Sequence, residues 1–297
     1  MSRAAPSAYY GLVVVDKPPA MTSHDVVARV RRLAGTRRVG HAGTLDPMAT
    51  GVLVLGVGRA TRLLTYLVGA AKTYTATIRL GASTLTDDAQ GEVLLRADAS
   101  GVSEEQVAAG VRALTGALDQ VPSTVSAIKI GGRRAHARVR AGELVELPAR
   151  PVTVHRFDVR EVRRAGSFLD LDVEVEVSSG TYVRALARDL GAALGVGGHL
   201  SALRRTAVGP YALASARTLD RLAEHFEVVP MADAARAVFP ARELSADEVS
   251  RLRFGQPVPA SAVGDQPVAG FAPDGSLVAL LTDAGDRARS LLVIAEP

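Results

Sequence analysis

The segment LDLDVEVEV, residues 169–177, alternates strictly between apolar and acidic side chains. Because successive side chains of a β-strand point to opposite faces, this period of two predicts a strand with one apolar face and one solvated face. The residues that follow, SSGTYVRALARDLGAALG, change to the apolar spacing of an amphipathic helix after a turn at Gly180. Tyr182 and Arg184 therefore fall in the first helical turn at the end of a sheet strand, where enzymes commonly place ligand-contacting side chains.

The rest of the chain predicts further strands and helices, with no internal repeat. Short apolar or alternating runs bounded by glycine or proline indicate strands in GLVVVDKPP, GVLVLGVG and KTYTATIRLG. Helical spacing occurs in TSHDVVARVRRLAG, in RATRLLTYLVG and in SEEQVAAGVRALTGAL, where Ser103 and Gln106 have the spacing of a capping box. We therefore expect an α+β (mixed α/β) fold.

The sequence changes character near Phe239 and Pro240. Downstream, one short helical pattern is followed by short apolar runs separated by Gly, Pro and Asp-Gly, as in small β-rich modules. A chain of 297 residues is long enough for two domains. We expect a main domain at residues 1–235 and a β-rich domain at residues 236–297.

The composition excludes several classes of site. The chain has no cysteine, which rules out disulfides, thiolate metal sites and cysteine nucleophiles. Its six histidines are scattered, with no HxxxH pair, so we expect no metal site. The apolar run before Asp16 and Lys17 is too short for a signal peptide or a membrane span. We expect a cytoplasmic protein with no membrane segment.

The basic charge lies in the larger part of the chain. The whole chain carries a formal charge of +4, whereas Met231 to Pro297 has six arginines, no lysine and nine acidic residues, a net −3. Paired arginines suit phosphate contacts, but they are also ordinary surface charge in an arginine-rich chain. Charge alone therefore leaves nucleic-acid binding and simple solvation equally open. The pairs are Arg31-Arg32, Arg37-Arg38, Arg133-Arg134, Arg163-Arg164 and Arg204-Arg205.

The stretch GHAGTLDPMATGVL places His41 and Asp46 in a loop rich in glycine, just before an apolar strand. Asp-Pro most often caps a helix, but Gly51 leaves room for about one turn, so the turn is better suited to aiming the carboxylate. A dinucleotide-binding turn in VLVLGVGRAT is the runner-up interpretation, although Thr61 replaces the third glycine of GxGxxG and no P-loop is present.

These residues resemble the signature of the TruB family of tRNA pseudouridine synthases, which modify uridine 55 in the T-loop of tRNA. The similarity extends over most of residues 11 to 210, in the family's order: VDKPPAMTSHDVV, KTYTATIRLGASTLTDDAQGE, QVPSTVSAIKIGGRRAHARVRAGE, SSGTYVRALARDLG and LSALRRTAVG. The resemblance implies the pseudouridine synthase fold, with a central, mostly antiparallel sheet flanked by helices. It also implies a small PUA-like domain at the C-terminus with a weak, accessory role in tRNA docking.

The resemblance also implies catalytic roles for three residues and no cofactor or metal. Asp46 is the expected essential carboxylate, acting either as a nucleophile at C1′ or as a base at C2′. Tyr74 is expected to stack on the uracil, although its alternation with apolar neighbours also fits a core aromatic. Arg184 is expected to pair with Asp46, and Tyr182 and Leu203 to line the pocket.

Further residues are expected to contact the substrate, the T-arm of tRNA. His41 is implied to stack within the T-loop and to help flip the target base out, which costs least where the base already lies in a loop. Lys17 and Asp88 match family positions near the cleft, each with a structural alternative, and His136 reads as a surface or packing variation. An RNA-binding or chaperone module that makes no product is the non-enzymatic alternative. No protein partner is predicted.

Overall fold

The computed structural model describes residues 9–125, 129–130, 133–134, 147–261, 263–264 and 266–294. Within this part, no helix is both long and apolar enough to cross a membrane. The helices are α1 (Ser23–Leu33), α2 (Leu64–Val68), α3 (Glu104–Ala113), α4 (Val183–Ala193), α5 (Leu219–Glu224), α6 (Met231–Arg236) and α7 (Ala246–Arg253), and single 3-10 turns span Gly58–Arg62 and Leu213–Ser215. The strands are β1 (Gly11–Lys17), β2 (Val39–His41), β3 (Thr50–Val57), β4 (Lys72–Leu80), β5 (Ala82–Thr84), β6 (Val93–Arg96), β7 (Gly116–Gln120), β8 (Lys129–Ile130), β9 (Arg133–Arg134), β10 (Arg150–Ala165), β11 (Phe168–Val177), β12 (Gly198–Val208), β13 (Tyr211–Ala212), β14 (Val229–Pro230), β15 (Ala241–Glu243), β16 (Val258–Pro259), β17 (Val268–Phe271), β18 (Leu277–Ala284) and β19 (Arg287–Val293).

Ten strands form one mixed sheet, in the order β14-β1-β3-β12-β4-β11-β10-β7, in which β2 also pairs with β3 and β13 with β12. Its pairings are antiparallel except for β3 with β12. β5 with β6, and β8 with β9, form separate two-stranded sheets. The expected α+β architecture with a large, mostly antiparallel sheet is thus confirmed.

One face of the sheet is apolar because its strands keep the period of two in register. Leu171 pairs with Ile78 and Val175 with Tyr74, so their side chains share a face. Helices α1, α3 and α4 cover this face, and all of these residues belong to one core cluster. The predicted capping box of Ser103 and Gln106 begins α3. This core fixes the position of α4 and hence of Arg184.

The opposite face of β11 is polar, as the sequence predicts, but it is not simply solvated. Asp170 is only 8 % exposed, because Arg79 from β4 donates to both of its carboxylate oxygens at 2.7 Å. Asp172 accepts from Thr77 at 2.6 Å and also pairs with Arg163. Ion pairs between neighbouring strands therefore replace much of the expected hydration.

The sheet contains one close backbone crossing that only glycine permits. β12 meets β3 in a short parallel pairing of Arg204 with Thr50 and of Arg205 with Gly51. Gly51 has a φ of 98°, and a Cβ atom there would lie 2.1 Å from the Arg205 carbonyl oxygen. Gly51 thereby holds the end of the Asp46 loop against β12.

The C-terminal segment forms a second sheet in the order β15-β17-β18-β19-β16. Phe271 and Leu280 of this sheet share a core cluster with Leu12 and Val54 of the large sheet. The expected boundary, residue 236, falls at the end of α6, whose Ala234 and Ala235 belong to the same cluster. The β-rich character of this segment is as predicted, and its core is continuous with that of the large sheet.

One sequence interpretation needs correction, and another falls on residues outside the described part of the chain. RATRLLTYLVG forms a 3-10 turn and then the short α2, rather than one helix. Of the arginine pairs, Arg204-Arg205 is engaged within the protein, because Arg205 is fully buried and Arg204 pairs with Asp16 at 2.7 Å. The interpretation of His136 and the side chains of Arg133 and Arg134 lie outside the described part of the chain.

Candidate active site

A pocket of ≈260 Å³ opens between the loop of residues 42–49, the start of α4, and strands β4 and β12. The loop brings its residues from the N-terminal third of the chain, whereas α4 and β12 follow more than 130 residues later. Five of the predicted site residues line the pocket: Asp46, Tyr74, Tyr182, Arg184 and Leu203. Three others lie outside its lining: Lys17, His41 and Asp88.

Asp46 and Arg184 form a two-point ion pair in this pocket. Arg184 Nε donates to Asp46 Oδ2 at 3.0 Å, and Nη2 donates to Oδ1 at 3.2 Å. The Arg184 side chain is 4 % exposed, whereas 36 % of the Asp46 side chain is exposed. The planar guanidinium therefore fixes the plane of a carboxylate that remains accessible from the pocket.

Further contacts hold Arg184 in place. Nη1 donates to the Thr86 carbonyl at 2.7 Å, and Nη2 donates to the Val125 carbonyl at 2.9 Å. Asp88 approaches Nη1 to 3.6 Å and accepts from Thr86 Oγ1 at 2.6 Å. Asp88 is buried and does not line the pocket, so it stabilises the Arg184 guanidinium from within the protein.

Lys17 holds the loop that carries Asp46 in place through hydrogen bonds to main-chain carbonyls. Lys17 is fully buried, and its ammonium donates to the carbonyls of Pro18, Met21 and Pro47 at 2.8, 2.7 and 3.3 Å. Burial lowers the pKa of Lys17 to about 8, and the nearby Asp46 carboxylate opposes this shift. The Lys17 ammonium thus faces main-chain carbonyls and not the pocket.

Tyr74 is both a core residue and a pocket residue, as both of its interpretations allowed. It is 7 % exposed, belongs to the large core cluster and also lines the pocket. Leu203 lies on the neighbouring strand and is also buried. Together with Tyr182 they give the pocket flat and apolar surfaces, an arrangement suited to a planar ligand.

His41 lies at the end of β2, just before the loop. Its ring meets the His24 ring edge to face, with centroids 5.8 Å apart. Burial, together with His24, lowers the pKa of His41 below its usual value, so the ring is neutral at neutral pH. Among the described residues, its Nδ1 atom has no hydrogen-bond partner.

Two cations of the pocket were not predicted. Arg205 donates to the carbonyls of Val52, Gly43 and Thr44, at 2.7, 3.1 and 3.4 Å. Lys72 donates to the carbonyls of Val68 and Ala70 at 2.9 and 2.8 Å, and burial and Arg205 lower its pKa to about 8.

A sequence signal for both cations existed. Lys72 lies two residues before Tyr74, and Arg205 two residues after Leu203, so strand alternation places each on the face of a predicted site residue.

The described residues contain no group of three or more histidine, aspartate or glutamate side chains arranged to hold a metal ion. The pocket instead offers one accessible carboxylate, an arginine paired with it, and an aromatic wall. This set can supply a base or nucleophile next to a planar ligand.

Solved structures share this fold. One is a chain of an H/ACA ribonucleoprotein bound to a substrate RNA containing 2'-deoxyuridine, with a TM-score of 0.72 and 25% identity over 96% of this chain and 85% of that chain. A second is from a Cbf5-Nop10-Gar1 complex, with a TM-score of 0.72 and 27% identity over 96% and 84% of the two chains. The fold is therefore that of the pseudouridine synthases, which gives the class of the protein.

Sequence comparison identifies the family within this class. Residues 31–183 match the family described as TruB family pseudouridylate synthase (N terminal domain), and residues 184–240 and 239–295 match two C-terminal domains of tRNA pseudouridine synthases. The chain is 65% identical over 295 residues to tRNA pseudouridine synthase B of Arthrobacter sp. (strain FB24), and 60% identical over 289 residues to that of Thermobifida fusca (strain YX). These matches cover 96% of this chain, and 96% and 98% of the two relatives. The chain belongs to the TruB family of pseudouridylate synthases.

Proposed function

We propose that this protein converts uridine 55 in the T-loop of tRNA to pseudouridine, with Asp46 as the essential carboxylate. The observation that carries the proposal is the accessible Asp46 carboxylate, held at two points by the buried Arg184 and facing Tyr74. The relatives named tRNA pseudouridine synthase B support tRNA as the substrate. The pocket volume of ≈260 Å³ lies just below the ~300–1,000 Å³ of sites for drug-sized ligands, which suits a single flipped nucleoside.

The reaction breaks the N1–C1′ bond of uridine, turns the base and joins C5 to C1′. The proton that C5 loses balances the proton that N1 gains, so the product is an isomer and no redox step is involved. Asp46 acts at the ribose, either by attack on C1′ or by removal of a C2′ proton. Tyr74 lines the pocket and stacks on the uracil, and it is our candidate for helping to remove the C5 proton.

Arg184 orients the Asp46 carboxylate, and Tyr182 and Leu203 hold the base between them and Tyr74.

Asp88 acts through Arg184, and Lys17 acts through the Pro47 carbonyl that follows Asp46. We therefore assign Lys17 and Asp88 as positioning residues. This replaces the direct substrate contact that the sequence resemblance suggested for them.

His41 enters the T-loop and takes the place of the flipped nucleotide. Aromatic side chains, histidine included, stack on unstacked bases of RNA loops, which supports this role. The target base lies in a loop, where flipping costs least. His41 thus helps to open the substrate and does not transfer protons.

The segment 236–297 is proposed as a PUA-like domain with an accessory role in docking the tRNA. Its acidic excess argues against a dominant phosphate contact. Phe254, at the end of α7, is 73 % exposed, and an exposed aromatic ring can stack on an unpaired base. Docking by this domain would then depend on stacking more than on charge.

The proposed reaction is tested by tritium release from tRNA labelled with 5-³H-uridine, comparing the unchanged protein with Asp46→Asn at equal, verified tRNA binding. We expect release by the unchanged protein and at least a 1,000-fold slower rate in the variant, since roughly 10²–10⁴-fold comes from a positioned acid or base alone. Mapping the product by mass spectrometry then tests position 55. Binding without release by either protein would favour the RNA-binding alternative, and modification at another uridine would contradict the assignment of position 55.

A further inference from the structure

We propose that Gln120 is a positioning residue for the isomerisation, and that it acts by fixing the main chain of Tyr182. Gln120 ends β7 and is 4 % exposed. Its Oε1 atom accepts from the Tyr182 N–H at 2.8 Å, and its Nε2 atom donates to the Tyr182 carbonyl at 3.1 Å. The two main-chain groups also determine the orientation of the carboxamide, because the reverse orientation would place donor against donor and acceptor against acceptor.

Tyr182 occupies a helix start, where main-chain N–H groups need hydrogen-bond partners from outside the helix. Tyr182 directly precedes α4 and has extended backbone angles, with a φ of −101° and a ψ of 108°. The first N–H groups of a helix lack partners within the helix, and Tyr182 makes no side-chain cap. The Gln120 side chain accepts the hydrogen bond from the Tyr182 N–H. The Tyr182 carbonyl accepts from both Gln120 Nε2 and the Leu186 N–H. The side chain of Gln120 thereby fixes the turn from which the Tyr182 ring enters the pocket.

The residues after Gln120 attach to the same helix. The Val121 carbonyl accepts from Arg188 Nη2 at 2.7 Å, and the Val125 carbonyl accepts from Arg184 Nη2 at 2.9 Å. The segment 120–125 thus contacts α4 at three points, one of which is the arginine that orients Asp46. Gln120 is the one of the three that a side-chain substitution removes without changing either arginine.

Gln120 does not line the pocket, so it is not expected to touch the substrate. Its effect is expected on the geometry of the first turn of α4 and therefore on the chemical step. A displacement of about 1 Å at a reacting group can cost about 100-fold in rate. This inference rests on the proposed function, which the same experiment tests in the unchanged protein.

The experiment measures the single-turnover rate of pseudouridine formation at saturating tRNA, and separately the dissociation constant for tRNA. For Gln120→Met, we expect a rate about 10-fold to 100-fold lower with a dissociation constant within about twofold of the original. Gln106→Met is the matched control. Gln106 also accepts from a main-chain N–H, that of Ser103 at 2.9 Å, but it lies on α3 outside the pocket lining, so its rate should not change.

Gln120→Glu provides a test that a general loss of stability would not imitate. An ionised glutamate presents a second acceptor to the Tyr182 carbonyl, whereas a protonated glutamate restores both hydrogen bonds. Burial raises the pKa of a carboxyl group, so protonation should begin at mildly acidic pH. We expect the rate of Gln120→Glu, relative to the unchanged protein, to rise as the pH falls from 8 to 5.5. The relative rate of Gln120→Met should stay constant.

The outcomes separate the two proposals. If the unchanged protein forms no pseudouridine, the proposed function fails. If it does, and Gln120→Met has the original rate or loses only tRNA affinity, the positioning role is overturned. Should Gln120→Met not fold, the pH series of Gln120→Glu decides: a relative rate that does not change with pH overturns the role.

Discussion

At the scale of single residues, Arg184 connects one accessible carboxylate and one buried carboxylate. The Asp46 side chain is 36 % exposed, whereas the Asp88 side chain is 7 % exposed. Arg184→Met would leave the Asp88 charge buried without its partner, which typically costs about 3–5 kcal/mol of unfolding free energy. The contribution of Asp46 to this cost is smaller because water screens it. We expect this loss in urea unfolding, together with loss of tritium release.

Arg79→Met is the matched control for Arg184. Arg79 also makes a two-point contact with a buried aspartate, Asp170, but on the face of the sheet opposite the pocket. The Arg79→Met substitution should lower the unfolding free energy and leave the rate of tritium release by the folded protein unchanged. Equal rates for Arg184→Met and Arg79→Met, measured on folded protein, would contradict the orienting role of Arg184.

Lys72 gives the stability of the protein a defined pH dependence. Burial lowers its pKa to about 8, from a usual value near 10.5 in the unfolded chain. Between these values the unfolded state binds more protons, so the contribution of Lys72 to stability grows as the pH rises from 8 to 10.5 and is lost as the pH falls through 8. Relative to Lys72→Met, the unchanged protein should gain unfolding free energy across this window. A flat or falling difference would show that the ammonium is not desolvated.

At the scale of elements, the contact between β3 and β12 depends on Gly51. In Gly51→Ala the new Cβ would lie 2.1 Å from the Arg205 carbonyl oxygen, so the two strands must separate. The Asp46 loop ends at this strand, and Arg205 holds the same loop through the Gly43 carbonyl. We expect a large fall in melting temperature and loss of activity. Thermal unfolding and tritium release measure the two effects.

Gly116→Ala separates backbone strain from this clash. Gly116 has a φ of 103°, close to the 98° of Gly51, but nothing lies within 4 Å of a Cβ atom placed there. It should show only the cost of the unfavourable backbone angles, about 1–3 kcal/mol, and keep its activity. If both variants lose equal stability, the close approach of β3 and β12 is not what requires Gly51.

The sequence predicts elements well where one period dominates. The alternation in residues 169–177 and the capping box of Ser103 give β11 and α3 because these signals are local. The contacts of Lys17 and Asp88 could not be predicted from a local pattern. Their partners are main-chain carbonyls and a guanidinium brought close by the fold, and Arg184 is 96 positions from Asp88. Gln120 had no local signal either, since both of its hydrogen bonds end on a residue 62 positions away.

At the scale of the whole molecule, the two sheets share a core, so the C-terminal segment should not be separable. Phe271, Leu277 and Leu280 are buried in the cluster that covers Leu12 and Val54. At about 1.5–3 kcal/mol for each fully buried large apolar side chain, removing these three approaches the ~5–15 kcal/mol that stabilises a typical domain. We expect a chain ending at residue 236 to be unfolded or aggregated, as measured by circular dichroism and sedimentation. A folded and active truncated chain would contradict the shared core.

The docking role of this segment is therefore better measured with Phe254→Ser. Phe254 is exposed and lies outside the shared core cluster, so the variant should keep its melting temperature. If the segment helps to dock the tRNA, KM should rise while kcat stays unchanged. An unchanged KM would remove the accessory role from Phe254.

The pairing of β3 with β12 also governs when the pocket can exist during synthesis. Residues 50 and 51 cannot form this pairing before residues 204 and 205 have been synthesised, and contacts of such long sequence separation form slowly. Until β12 leaves the ribosome, the Asp46 loop lacks its contact with Arg205, and β3, the strand that follows the loop, lacks one neighbouring strand. Because of this pairing, we expect a nascent chain shorter than about 200 residues to be inactive, so that activity would appear only in the last third of translation.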